Sequence, residues 1–148
     1  GYNLKPLELQ AAMGLEQLKK LPDMDEARRN NHARLTSIFK KYEQYFHLPE
    51  ATPKSDPCWF AFLLTLKTDA FSREEFVRHL EDAKIQTRSY FSGNILSHPG
   101  YNHLAKEGEI ESFPVANKVT MDSFFLGTFI GLTDEKLDYI EEIVAAFF

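Results

Sequence analysis

Five histidines, one cysteine and a short polar run after an apolar segment are what this sequence offers for chemistry. His32, His47, His79, His98 and His103 are not spaced from one another, or from Cys58, as metal ligands would be. Ser97 beside His98, and Cys58 alone, each lack the base and orienting group that activate a nucleophile, so they read as loop and core residues. Neither familiar glycine-rich phosphate loop occurs. Two places keep an anion-binding reading beside a plainer one. Gly1-Tyr2-Asn3 stands before a helical pattern, where its amides could seat an anion or simply cap the helix. QTRSYFSGN gathers Arg88, two aromatics and Asn94 at a strand end, which suits a phosphorylated or planar ligand, or an exposed edge and turn. SHPGYNH reads as a surface loop.

Periodicity supplies the elements that must position these residues. Leu7, Ala11, Leu15, Leu18 and Leu21 recur at helical spacing, with Pro6 in the first turn, where its missing N–H costs nothing. Pro22 predicts an end or a kink, and Asp23 or Asp25 predicts the cap of a second helix carrying Leu35, Ile38, Phe39 and Tyr42. After the proline-bounded loop LPEATPKSDP, CWFAFLLTLK reads as a buried strand. Ser72 with Glu75 predicts a capping box opening a helix with Phe76, Val77 and Leu80. KIQTRSYF reads as a second strand, SGN as a turn, and the polar stretch after it as loop with one short helix. FPVANKVTM predicts a helix, SFFLGTFI a third strand, and Thr133 the cap of a last helix with Leu137, Ile140 and Val144. The sum is an α+β domain, helices laid on one face of a small antiparallel sheet, with residues 1–48 as connecting helices and 49–148 as the compact unit.

Composition narrows the function. At 148 residues, 43% hydrophobic and 26% charged, the chain fits one globular domain. A net charge of -5 argues against a nucleic-acid partner, which needs a basic stripe. FAFLLTL and FFLGTFIGL fall short of the ~20 apolar residues that span a membrane. The single cysteine excludes an internal disulfide and suits a reducing cytoplasm.

The opening GYNLKPLELQAAMGLEQLKKLP resembles a segment of the sugar-nucleotide aminotransferase and dehydrase family, pyridoxal-phosphate enzymes of the aspartate-aminotransferase fold. CWFAFLLTL, KIQTRSYFSGN, HPGY, VANKVTMDSFFLG and GLTDEKLDYIEEIV resemble its later segments in order, so the likeness covers the whole chain. IQTR with the following F-S-G-N is similar to the branch of 3-dehydrases acting on CDP-4-keto-6-deoxyglucose. Ala61 and Lys84 depart from it, each where that branch tends to carry glycine.

The resemblance implies the small C-terminal domain and connecting helix of such an enzyme, following a cofactor domain that holds pyridoxal or pyridoxamine 5'-phosphate and the catalytic base. It implies no catalysis and no bound cofactor for this chain alone. In the parent the cofactor would act as electron sink while the C3 hydroxyl leaves. Asn3 would reach the cofactor phosphate of a second subunit; Lys5 and Arg88 would meet the nucleotide phosphates, and Phe91 and Asn94 would line the sugar site. A homodimer, a nucleotide-sugar substrate and, in some members, a reductase partner are implied as well, with any iron–sulfur cluster (2Fe–2S) held in the part of the parent enzyme outside this chain. An aminotransferase of the same family and a stand-alone α+β binding module remain the rival readings. Leu4, Leu7, Phe91 and Ile95 are expected on an exposed apolar face.

Overall fold

The computed structural model describes Tyr2 and residues 4–148. The expected anion turn at Gly1 and Asn3 lies outside the described residues. A single helix, α1 (Glu8–Lys40), replaces the two helices expected around Pro22. An interior proline removes one hydrogen bond and crowds the preceding turn, at a cost of about 3 kcal/mol. Strong helix formers on both sides oppose that cost, and Leu35, Ile38 and Phe39 fasten the C-terminal half in the core. Neither aspartate caps a new helix; Asp25 instead accepts a hydrogen bond from Cys58 Sγ at 3.0 Å. Pro6 lies outside the first turn, since the helix begins at Glu8. Gln10 Oε1 accepts the Leu7 N–H at 3.0 Å there.

After α1 come β1 (Phe46–His47), β2 (Ala61–Leu66), α2 (Arg73–Asp82), β3 (Thr87–Ser89), α3 (Pro114–Asp122), β4 (Ser123–Gly127) and α4 (Asp134–Phe147). The sheet runs β1-β2-β4-β3 and every pair is antiparallel. β1 escapes a reading by periodicity because two residues show no alternation. β3 is shorter than KIQTRSYF suggests, because Lys84 still closes α2 and Phe91 already turns the chain; both have positive φ. Two 3-10 turns, Ile95–Ser97 and Asn102–Leu104, stand where one short helix was expected.

The capping box at α2 forms: Ser72 N–H donates to Glu75 Oε2 at 2.7 Å, and Glu75 N–H donates to Ser72 Oγ at 3.1 Å. Thr133 holds the cap position of α4 but makes no side-chain cap bond; its carbonyl accepts the Leu137 N–H at 3.0 Å.

Alternate residues of β2 (Phe62, Leu64, Leu66) and β4 (Phe124, Leu126) meet side chains from α1, α2 and α4 in one core. The abundance of phenylalanine has its reason here. Phe39, Phe46, Phe62, Phe76 and Phe124 are fully or almost fully buried, with edge-to-face pairs such as Phe39–Phe46 at 5.7 Å and Phe76–Phe147 at 4.8 Å. Arg34 bridges α1 to α4 through Asp138 (2.8 Å) and Glu141 (2.6 Å).

Candidate functional site: the outer sheet face and the turn after β3

The side chains that alternate away from the core build a second surface. Cross-strand neighbours point to the same side of a sheet. Arg88 is paired with Phe125, and Phe125 with Leu63, so Arg88 stands on the face opposite the core. Phe125 is the hub of an aromatic shelf. Phe60 lies 5.9 Å from it and Phe91 also 5.9 Å, while Tyr90 lies 5.2 Å from Phe91 (ring centroids). Phe60 and Phe91 are largely exposed, and Phe125 is buried beneath them.

Arg88 shares with Arg28 the lack of a hydrogen bond or ion pair among the described residues, and the other arginines have partners. Arg29, Arg34 and Arg78 are ion-paired, and Arg73 donates to the carbonyls of Thr120 and Ser123. Arg88 makes no hydrogen bond or ion pair among the described residues and is exposed. An unpaired guanidinium beside flat apolar rings can take a phosphate oxygen pair on its fork while the rings take a planar or apolar ligand face. A small cleft of about 200 Å³ between α2 and β3 does not suit an anion, because Glu74 and Glu81 wall it along with Arg73 and Arg88.

The turn that follows is tied down by its own polar groups. Asn94 is buried, and its side chain is spent inside the chain. Nδ2 donates to Asn117 Oδ1 (2.6 Å) and Ile110 O (3.3 Å), and Oδ1 accepts the Leu96 N–H (3.1 Å). In this structure Asn94 organises the turn. The Asn94 N–H donates to Thr120 Oγ1 at 2.7 Å. Gly93 is required where it stands, with φ +56° and an added Cβ only 2.2 Å from Thr120 Oγ1. His98 Nε2 bonds Ser92 O at 2.5 Å, so that histidine serves the loop.

The structure thus brings Arg88, Phe91 and Asn94 onto one strand-and-turn unit. Lys5 belongs to the exposed segment before α1 and has no hydrogen bond to that unit among the described residues. Asn3 lies outside the described residues. Phe60, Phe125, Asn117 and Thr120 escaped the sequence reading. The doublet Phe124-Phe125 held a signal, since consecutive strand residues must face opposite sides.

Elsewhere, Cys58 is exposed, ahead of β2 and not in the core. Its hydrogen bond to Asp25 pushes the thiol up and keeps it protonated. His32 is buried and stacked on Trp59 at 4.0 Å; its Nε2 has no hydrogen-bond partner among the described residues, and burial pushes its pKa down to about 4. No group of three or more His, Cys, Asp or Glu among the described residues could hold a metal ion. Pyridoxal phosphate needs a Schiff-base or equivalent partner, a ring-nitrogen partner and several phosphate donors. The described residues do not assemble that cradle; they fit only a phosphate and a ring at an open face.

The family model for DegT/DnrJ/EryC1/StrS aminotransferases matches residues 1–145. The chain belongs to this family. Among its relatives, the lipopolysaccharide biosynthesis protein RfbH of Salmonella typhimurium is 38% identical over 100% of this chain and 34% of its own length. The dTDP-4-dehydro-2,6-dideoxy-D-glucose 3-dehydratase of Saccharopolyspora spinosa is 40% identical over 99% of this chain and 32% of its own. The solved structure of the E. coli GDP-4-keto-6-deoxy-D-mannose-3-dehydratase with bound hydrated PLP superposes with a TM-score of 0.79 at 31% identity. It covers 97% of this chain and 36% of that one. The chain therefore spans about a third of the length of the relatives it matches, and its fold is the C-terminal part of the aminotransferase fold. No helix among the described residues is long and apolar enough to cross a membrane.

Proposed function

We propose that this chain is the substrate-facing small domain of a pyridoxal or pyridoxamine phosphate-dependent nucleotide-sugar 3-dehydrase of lipopolysaccharide biosynthesis. The substrate in this reading is CDP-4-keto-6-deoxyglucose, which loses its C3 hydroxyl. One observation carries it: Arg88, a cation with no hydrogen bond or ion pair among the described residues, is the cross-strand neighbour of Phe125, the centre of the aromatic shelf, in a chain whose relatives include 3-dehydratases. The Arg88 guanidinium takes the diphosphate, Phe91 lines the sugar, and Asn94 holds the turn that presents both. Lys5 approaches the nucleotide phosphates, and Asn3 the cofactor phosphate of a second subunit.

The cofactor, the catalytic base and any iron–sulfur cluster are held outside the described residues, so the chain alone does not turn over substrate. Residues 1–48 connect and 49–148 form the small domain in this reading, with Leu35, Ile38, Phe39 and Phe46 of the connecting part seated in the shared core. The working enzyme is a cytoplasmic homodimer that delivers its product to a reductase.

Arg88→Gln in the full-length enzyme tests this reading. Losing a charge-assisted hydrogen bond costs about 1.5–3 kcal/mol, so KM for the nucleotide sugar should rise roughly tenfold to a hundredfold. Arg88→Lys should recover only part, having the charge without the fork. An Arg88→Gln enzyme with unaltered KM for CDP-, dTDP- and GDP-linked sugars would sink the assignment.

A further inference from the structure

Among the described residues, three non-glycine residues have left-handed backbone: Lys54 (φ 65°), Lys84 (φ 64°) and Phe91 (φ 47°). Lys84 has a local reason, because the chain leaves α2 there. Ile85 N–H donates to Leu80 O, and Lys84 N–H to Glu81 O, both at 2.9 Å, the usual closing bonds of a helix. Lys54 sits in a surface turn. Phe91 closes no helix, and it is aromatic where glycine or asparagine would be unstrained. Nor does burial offset the strain, since 70% of Phe91 is exposed.

Strain of this kind persists only where the surroundings over-determine it. Here they do. Phe91 N–H donates to Ser89 O at 2.8 Å. Past the ring, Ser92 is held by His98, Gly93 packs against Thr120 without room for a side chain, and Asn94 is bound to both Thr120 and Asn117. Thr120 Oγ1 in turn donates to Ala116 O at 2.8 Å, which fixes the hydroxyl so that its lone pair faces the Asn94 N–H. The clamp holds the backbone while the ring projects next to Phe125 and on the Arg88 face.

We propose that Phe91 is a specificity-determining residue, held strained by Thr120 and Asn117 of α3 so that its ring forms a fixed wall for the hexose of a nucleotide sugar. Thr120 and Asn117 are positioning residues in this arrangement. The inference rests on the reading of Arg88 as the diphosphate site. A wall fixed in advance loses no freedom when the sugar arrives, and it discriminates by shape at the ring and not at the phosphate.

The test uses the full-length enzyme, with CDP, dTDP and GDP and their hexose conjugates as probes. Phe91→Gly should melt about 2–4 °C above Phe91→Ala, because only glycine is free of the backbone strain. Both should bind the hexose conjugate at least fivefold more weakly than wild type while the free diphosphate binds alike. Thr120→Val, which keeps the ring but loses the clamp, should show the same selective loss, with Thr120→Ser restoring it. A Phe91→Gly protein no more stable than Phe91→Ala, or one with wild-type affinity for the conjugate, overturns the inference while leaving Arg88 in place. If no free diphosphate binds wild type, the Arg88 reading falls first, and this one with it.

Discussion

A lysine with positive φ is a residue-scale liability with a measurable size. Left-handed backbone costs an L-residue roughly 1–2 kcal/mol, and Lys84 incurs it at the C-terminus of α2. Lys84→Gly should therefore stabilise the chain by about 1 kcal/mol, raising the melting temperature by about 2–4 °C for a chain of this size. No rise in a thermal scan would show that the lysine side chain contributes as much as the strain removes. His32 works through protonation. Burial lowers its pKa to about 4 from an ordinary 6.5, so the folded state favours the neutral ring. Its contribution is complete above pH 6.5, is lost as pH falls toward 4, and is flat below that. The loss amounts to roughly 3 kcal/mol. Urea titrations between pH 7 and 4 should show it, and His32→Phe should remove that part of the slope.

At the scale of elements, α1 shows what local rules read and what they miss. The apolar stripe through Leu35, Ile38 and Phe39 was legible because burial imposes helical periodicity. The continuity through Pro22 was not, since a proline rule weighs one lost bond and cannot weigh a core thirteen residues downstream. Pro22→Ala should restore up to about 3 kcal/mol of local helix stability. Amide exchange at Leu18 to Leu21 should slow markedly, with little change in the global melt because that half of α1 is exposed. Unchanged exchange would mean the arm is already as ordered as the packed half. Likewise QTRSYFSGN announced a polar stretch at a strand end, and Arg88 lies in β3 there, exposed. The clamp from Asn117 and Thr120 lies 23 and 26 residues from Asn94, a contact that no spacing rule reaches.

The whole molecule has two kinds of surface. Its compact part hides an aromatic core, whereas the arm displays Leu7, Leu9, Met13, Leu15, Leu18 and Leu21, each between 45% and 72% exposed. Leu4, Leu7, Phe91 and Ile95 are each exposed as well. Contiguous apolar patches of this kind mark partner surfaces. Sedimentation of the chain should show association growing with concentration, weakened by Leu9→Lys with Met13→Lys. A strict monomer at high concentration would count against an interface on this arm.

Trp59 gives the molecule an optical gauge. It is the sole tryptophan, and it lies flat on the His32 imidazole at 4.0 Å with the planes 7° apart. A protonated imidazole quenches a stacked indole far more than a neutral one, so emission from this one fluorophore reports the charge of a ring buried between α1 and β2. The same acid titration that weakens the fold can thus be followed by colour and brightness without denaturant. A dimming centred near pH 4, and not near 6.5, would mark the buried ring taking its proton.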